Sequence, residues 1–128
     1  MKNPKNILVK THLQGIVTIT IHDAKTYNSL SFKTLNELLN AFKKLDNDKN
    51  VKVIIIEGSG KGFSSGHNLK EVKSLKVRNK YQKLFNLCSK LMLQIVEGRK
   101  PVIAKVHGAA FAAGCQLVAS CDLAYSTN

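Results

Sequence analysis

Two small-residue stretches hold the groups through which this chain could do chemistry. The first, residues 100–122, reads KPVIAKVHGAAFAAGCQLVASCD. Pro101 opens a short apolar run, Val102 to Val106, which reads as a strand. A loop of mostly small residues, His107 to Ala112, leads from it into an apolar, helix-like segment. A strand feeding such a loop into a helix lets a ligand approach bare backbone N–H groups at the helix N-terminus. Groups so placed stabilise negative charge developing on a substrate oxygen. The position where an acid or base would be sought is Gln116, whose amide does not shuttle a proton at neutral pH.

The second stretch is GSGKGFSSGHN, with four Gly between positions 58 and 66. Two phosphate-binding readings fail. The dinucleotide pattern G-x-G-x-x-G breaks because Gly58 and Gly60 are followed by Phe63. The P-loop needs Gly-Lys-Ser/Thr, but Lys61 is followed by Gly62. Ser64 and Ser65 do not form a nucleophile elbow, since G-x-S-x-G is absent. Two readings stay open for this loop. It is a permissive turn, or its backbone must come close to a ligand.

Other reactive side chains are few. His12 and His22 border strands and read as surface residues, while His67 and His107 each flank a Gly-rich loop. Either of the latter could in principle pair with Cys115 for nucleophilic catalysis. Cys115 is expected inside a buried helix turn, which argues against the pair. Cys88, Cys115 and Cys121 are too few and scattered for a disulfide framework or a zinc site, so no metal is expected. Cysteines in apolar helices pack as small hydrophobes. Asp122 reads as ordering a helix end or turn, with Glu71 and Glu97 at helix ends.

The elements that position these loops follow from periodicity. Residues 7–11 and 15–22 alternate at period two around Gly15, as a hairpin does. DAKTYN is a turn. Leu35, Leu38, Leu39, Phe42 and Leu45 fall at helical spacing behind Ser31 as N-cap, and residues 46–50 end that helix. Residues 51–57 form a strand whose run Val53 to Ile56 suits burial on both faces. A single helix is predicted from about Leu69 to Val96, with Tyr81, Leu84, Phe85, Cys88, Leu91, Met92 and Ile95 as its stripe. Gly98 and Pro101 terminate it. Leu123 to Ser126 begins a last strand. The order ββαβαβα indicates one α/β domain over residues 1–128.

Composition narrows the partners. A hydrophobic fraction of 44 % suits a globular core. No apolar run reaches the length of a membrane span. MKNPKN lacks the apolar core of a secretory signal and the Arg of a transit peptide, so a cytoplasmic setting is expected. The net charge of +12 comes almost wholly from Lys. It would attract polyanions, but a solvated Lys-rich surface is the favoured reading. Lys73, Lys76, Lys80 and Lys83 fall on one face of the predicted second helix, where RNA phosphates could bind. That face carries no stacking aromatics, so a nucleic-acid partner is not expected.

Three segments together resemble the crotonase (enoyl-CoA hydratase/isomerase) superfamily. They are DAKTYNSLSFKTLNEL, VIIIEGSGKGFSSGHNLKE and KPVIAKVHGAAFAAGCQLVASCDLAYS, in the family's order and spanning nearly the whole chain. The resemblance implies an α/β fold of ββα turns in a spiral, usually trimeric. It also implies coenzyme A thioesters as substrate or ligand, with no other cofactor, in fatty acid metabolism. The family's two backbone oxyanion donors fall on His67 and Ala113. The donors are main-chain, so the imidazole of His67 in place of the usual Ala need not destroy the hole. Each such donor is worth roughly 2.7–4 kcal/mol in other enzymes. Lys25 and Tyr27 match the segment lining the coenzyme A channel. Ser65, Asn68 and Leu69 match the adenine and pantetheine wall, and Lys70 could meet a phosphate as a point charge. Hydratases of the family carry Glu where this chain has Gln116. The family's second catalytic Glu and its C-terminal helical region are expected beyond residue 128, which implies a fragment, a split gene product or a truncated remnant.

Overall fold

The chain is described over residues 5–127 by a computed structural model. Residues 1–4, which carry most of the leader reading, and residue 128 lie outside the described residues. Strand β1 (Ile7–Thr11) and strand β2 (Ile16–Ile21) pair antiparallel as the predicted hairpin, with Ile7 opposite Ile21 and Thr11 opposite Val17. Strands β3 (Val53–Gly58), β4 (Val102–Val106) and β5 (Leu123–Ser126) extend the sheet in parallel, in the order β1-β2-β3-β4-β5. Parallel neighbours need crossovers. Helix α1 (Phe32–Asn47) connects β2 to β3. Helices α2 (Leu69–Ser74) and α3 (Arg78–Val96) connect β3 to β4, and α4 (Ala113–Ala119) connects β4 to β5.

One face of the sheet makes the core. Register aligns Val17, Ile54 and Val102 in one row and Ile19, Ile56 and Ala104 in the next, and all six are buried. They meet Leu35, Leu38 and Phe42 of α1 and Leu84, Leu91 and Ile95 of α3 in one cluster. Each fully buried Leu or Ile contributes roughly 1.5–3 kcal/mol. Ser31 caps α1 as expected, its hydroxyl accepting from Thr34 N at 3.2 Å. Asp122 anchors the start of β4, its carboxylate accepting from Val102 N at 2.7 Å.

The opposite face corrects the expectation that β3 is buried on both sides. Val53, Ile55 and Glu57 are only half-buried there. Helices cover one face alone, and a polar row crosses the other. Thr20 Oγ1 donates to Glu57 at 3.0 Å, and Lys105 Nζ meets the same carboxylate at 3.0 Å. Partial burial pushes the Glu57 carboxyl up, but the Lys105 and Thr20 hydrogen bonds and the charges of Lys105 and His107 outweigh it and hold it below its ordinary range.

The single helix predicted over 69–96 is two. Lys76 takes a left-handed φ of 50° and Val77 is extended, so the axis breaks between α2 and α3. The break turns Leu75 into the core. It also lets Glu71 accept from Phe32 N at 3.0 Å, tying α2 to the start of α1. Lys73, Lys76, Lys80 and Lys83 therefore share no continuous helical face. Among the described residues, no helix is long and apolar enough to cross a membrane.

Candidate functional site

The stretch Ser64–Gly66 runs between two supports. On one side lies the turn after β2. Ser65 N donates to Tyr27 O at 2.9 Å, Ser65 Oγ to Thr26 O at 3.0 Å, and Leu30 N to Gly66 O at 2.7 Å. On the other side lies the loop after β4. Ser64 N donates to Ala109 O at 3.2 Å and Phe111 N to Ser64 O at 2.9 Å, a parallel bridge between Ser64 and Ala110. Thus the two Gly-rich loops, far apart in sequence, are bonded to one another.

Their peptide planes aim two N–H groups. A trans peptide points its C=O and N–H in opposite directions. Leu30 N holds Gly66 O, so the His67 N–H points away from the turn. Likewise Ala112 O accepts from Gln116 N at 3.0 Å inside α4, so the Ala113 N–H points out of the helix start. Neither N–H meets an acceptor among the described residues. Ala112 takes φ 46° and ψ −120°, a sparsely populated conformation for a residue with a Cβ. Gly66 completes the contact. Its φ is 86°, and a Cβ there would stand 2.9 Å from Phe111 O and 3.2 Å from Ala113 N.

Clefts open beside this segment. Lys25, Ser65, His67, Asn68, Leu69 and Lys70 line one of about 270 Å³, together with Thr26 and Ser29. Tyr27 lines a neighbouring apolar cleft of about 300 Å³ with Ser64, Ser65, Ala109 and Phe111. Ser65 belongs to both. The residues assigned to the ligand channel from sequence are therefore gathered around the first donor loop. Ala113 and Gln116 line neither cleft, and Gln116 is exposed on α4. Asn68 is committed to its own helix. Its Oδ1 accepts from Lys70 N at 3.1 Å and Glu71 N at 3.2 Å, capping α2.

The side chains leave little nucleophilic chemistry. His67 Nδ1 donates to Leu30 O at 3.4 Å, and its ring meets Phe85 edge-on at 5.2 Å. His107 Nε2 donates to Gly60 O at 2.8 Å. Neither imidazole is bonded to Cys115, which is exposed and not in a buried turn as expected. The reason is that α4 buries only Ala113, Gly114 and Leu117. Burial, then the Asp122 charge, pushes the Cys121 thiol up to about 12, and burial raises that of Cys88. Among the described residues no group of three or more His, Cys, Asp or Glu could hold a metal ion.

Sequence reading missed Thr26, Ser29, Phe111 and above all Asn28. Tyr27 and Asn28 both adopt left-handed φ, at 54° and 55°. The one available signal was the Asn within the turn, a residue that tolerates this conformation.

Known proteins resemble this chain in sequence and fold. The family model described as "Enoyl-CoA hydratase/isomerase" matches residues 11–128. "Enoyl-CoA hydratase domain-containing protein 3, mitochondrial" of Xenopus laevis is 41 % identical over 125 residues, covering 98 % of this chain and 42 % of that protein. Its Homo sapiens counterpart is 43 % identical over 116 residues, covering 91 % of this chain and 38 % of that protein. A crystal structure of enoyl-CoA hydratase from Mycobacterium smegmatis superposes with a TM-score of 0.93 at 43 % identity, covering 96 % of this chain and 48 % of that one. The human domain-containing protein 3 superposes at 0.90 and 41 % identity, covering 95 % of this chain and 48 % of that one. The chain thus spans less than half the length of these relatives. Their mitochondrial names overturn the cytoplasmic setting expected from the first residues. That expectation read only the local composition of MKNPKN, which carries no information about compartment beyond the signals it lacks. The fold is the crotonase α/β fold, and the chain belongs to the enoyl-CoA hydratase/isomerase family.

Proposed function

We propose that this chain binds acyl-coenzyme A thioesters, with the His67 and Ala113 N–H groups donating hydrogen bonds to the thioester oxygen. The observation that supports this most is the pair of N–H groups without a partner among the described residues, aimed by Leu30 and by α4, on loops stitched through Ser64. Both are main-chain and held by structure already formed, so little reorganisation opposes them when charge builds on the oxygen. Lys25, Ser65, Leu69 and Lys70 around the 270 Å³ cleft suit the nucleotide and pantetheine end, and Tyr27 the adjoining apolar wall. The exposed Lys25 and Lys70 supply charge for phosphate.

Binding is the function proposed, and hydration is not. An oxyanion hole polarises the thioester, but adding water across a double bond also needs a proton carrier. Gln116 stands at the family's Glu position and cannot serve. A missing general acid–base group typically costs about 10²–10⁴-fold in rate. The working context is fatty acid metabolism, in the compartment of the mitochondrial relatives, and the family's trimer is the proposed assembly. Titrating butyryl-CoA and a single-stranded RNA separately, each at two salt concentrations, tests the proposal. Saturable thioester binding that persists at high salt supports it. RNA binding without saturable thioester binding sinks it.

A further inference from the structure

Asn28 lines neither cleft and is fully buried, yet its side-chain amide is bonded at both ends. Nδ2 donates to Ser59 O at 2.7 Å and Gly62 O at 2.9 Å, while Oδ1 accepts from Asp23 N at 3.0 Å. These bonds clamp the turn after β2 to the loop after β3. The main chain of Asn28 continues the connection. Its C=O accepts from Ser64 Oγ at 2.8 Å, and that hydroxyl in turn accepts from Gly66 N at 3.2 Å. Ser64 is buried as well, and its own N–H and C=O are bonded to the loop that carries Ala113.

We propose that Asn28 and Ser64 are positioning residues, a buried relay that holds the His67 and Ala113 N–H groups in register with one another. This rests on the reading of those two groups as the donors to a thioester oxygen. Gly66 explains why a relay is needed. It sits in a left-handed conformation and, as a glycine beside the first donor, has the widest choice of backbone angles. Ser64 Oγ pins its N–H and Leu30 N pins its C=O, so the His67 N–H that follows has one direction. Hydrogen bonds weaken steeply as the donor angle falls, so release of Gly66 would weaken the polarisation of the bound oxygen. A buried hydroxyl that donates and accepts at once strengthens both bonds. Removing it leaves Asn28 O and Gly66 N–H buried without partners.

Isotope-edited infrared spectroscopy of butyryl-CoA labelled with ¹³C at the thioester carbonyl tests the relay, because the carbonyl stretch reads polarisation and not stability. The native protein is expected to lower the stretch of the bound ligand. Ser64→Ala and Asn28→Gly, the latter chosen because Gly tolerates the left-handed φ, are expected to lose more than about half of that shift. Their affinity should fall by less than about tenfold, since most contacts with the ligand remain. Ser64→Cys, slightly larger and a weaker donor, is expected to recover part of the shift. If Ser64→Ala fails to fold, Ser64→Cys alone decides, and a native-sized shift in it overturns the relay. A native-sized shift in folded Ser64→Ala and Asn28→Gly overturns the relay while leaving the donor reading intact. No shift, or no binding, in the native protein sinks the donor reading and the relay together.

Discussion

The cradle around Ser64 and the end of the sheet at α4 and β5 are built on opposite terms. In the cradle, buried polar groups are satisfied within the described chain: Asn28, Ser29 and Ser64 all have partners. At α4 and β5 the groups left over are apolar and open. Leu123 is 65 % exposed and Tyr125 51 %. The contrast separates two requirements of a thioester site. The two proposed donors are both held within these residues, whereas the apolar enclosure that would exclude water from a reacting acyl group is open among them.

The largest expected effect concerns turnover. Crotonyl-CoA hydration, followed by loss of enoyl-thioester absorbance, should lie at least about 10²-fold below that of an ordinary hydratase. Gln116→Glu alone should not restore it, because an exposed carboxylate on an open helix face is neither shielded from water nor paired with a second acid. Recovery in that single variant would show that the open end is already competent and dissolve the contrast.

Next in size is Gly66→Ala. Its φ of 86° and the approach of Phe111 O leave no room for a methyl group, so a cost of about 1–3 kcal/mol is expected in denaturant unfolding, with loss of thioester binding. Leu123→Ser at the open end should instead change stability by less than about 0.5 kcal/mol. It should also reduce self-association, measured by sedimentation, because exposed apolar patches drive association. Equal destabilisation by the two substitutions would erase the distinction between the regions.

The smallest effect is on acid stability. The folded Glu57 carboxyl lies below its ordinary range, with burial opposing the shift and Lys105, Thr20 and His107 prevailing. Such a group contributes stability above the unfolded pKa and loses it as pH falls through the folded one. Glu57→Gln should therefore cost less than about 1 kcal/mol near neutrality, since the pair with Lys105 is largely solvated, and the deficit should vanish in acid. A deficit that grows on acidification would contradict this.

Much of this architecture was legible because it is local. Alternation gave the hairpin, and helical spacing with Ser31 gave α1 to within a few residues. The break at Leu75–Val77 was not, since no Gly or Pro marks it. It follows from tertiary bonds, Leu75 drawn into the core and Glu71 to Phe32 N. The exposure of Cys115 was hidden for the converse reason. Apolar composition reports what a helix could bury, not whether anything packs on it. Beyond its suitability for the turn, the role of Asn28 could not be read, because its partners Ser59, Gly62 and Ser64 lie 31, 34 and 36 residues away. The loops could be recognised as small-residue loops, but their stitching could not.

The central claim is that two backbone N–H groups hold a thioester oxygen, and one comparison isolates it. Calorimetric titration of butyryl-CoA is set against its S-butyl thioether analogue, which keeps the coenzyme and the chain but lacks the carbonyl. Two hydrogen bonds of about 0.5–1.5 kcal/mol each correspond to roughly 5–150-fold in affinity. The expected result is a thioester bound at least about fivefold more tightly than the thioether. Equal affinities would contradict the claim and leave the cleft as a binder of coenzyme A alone.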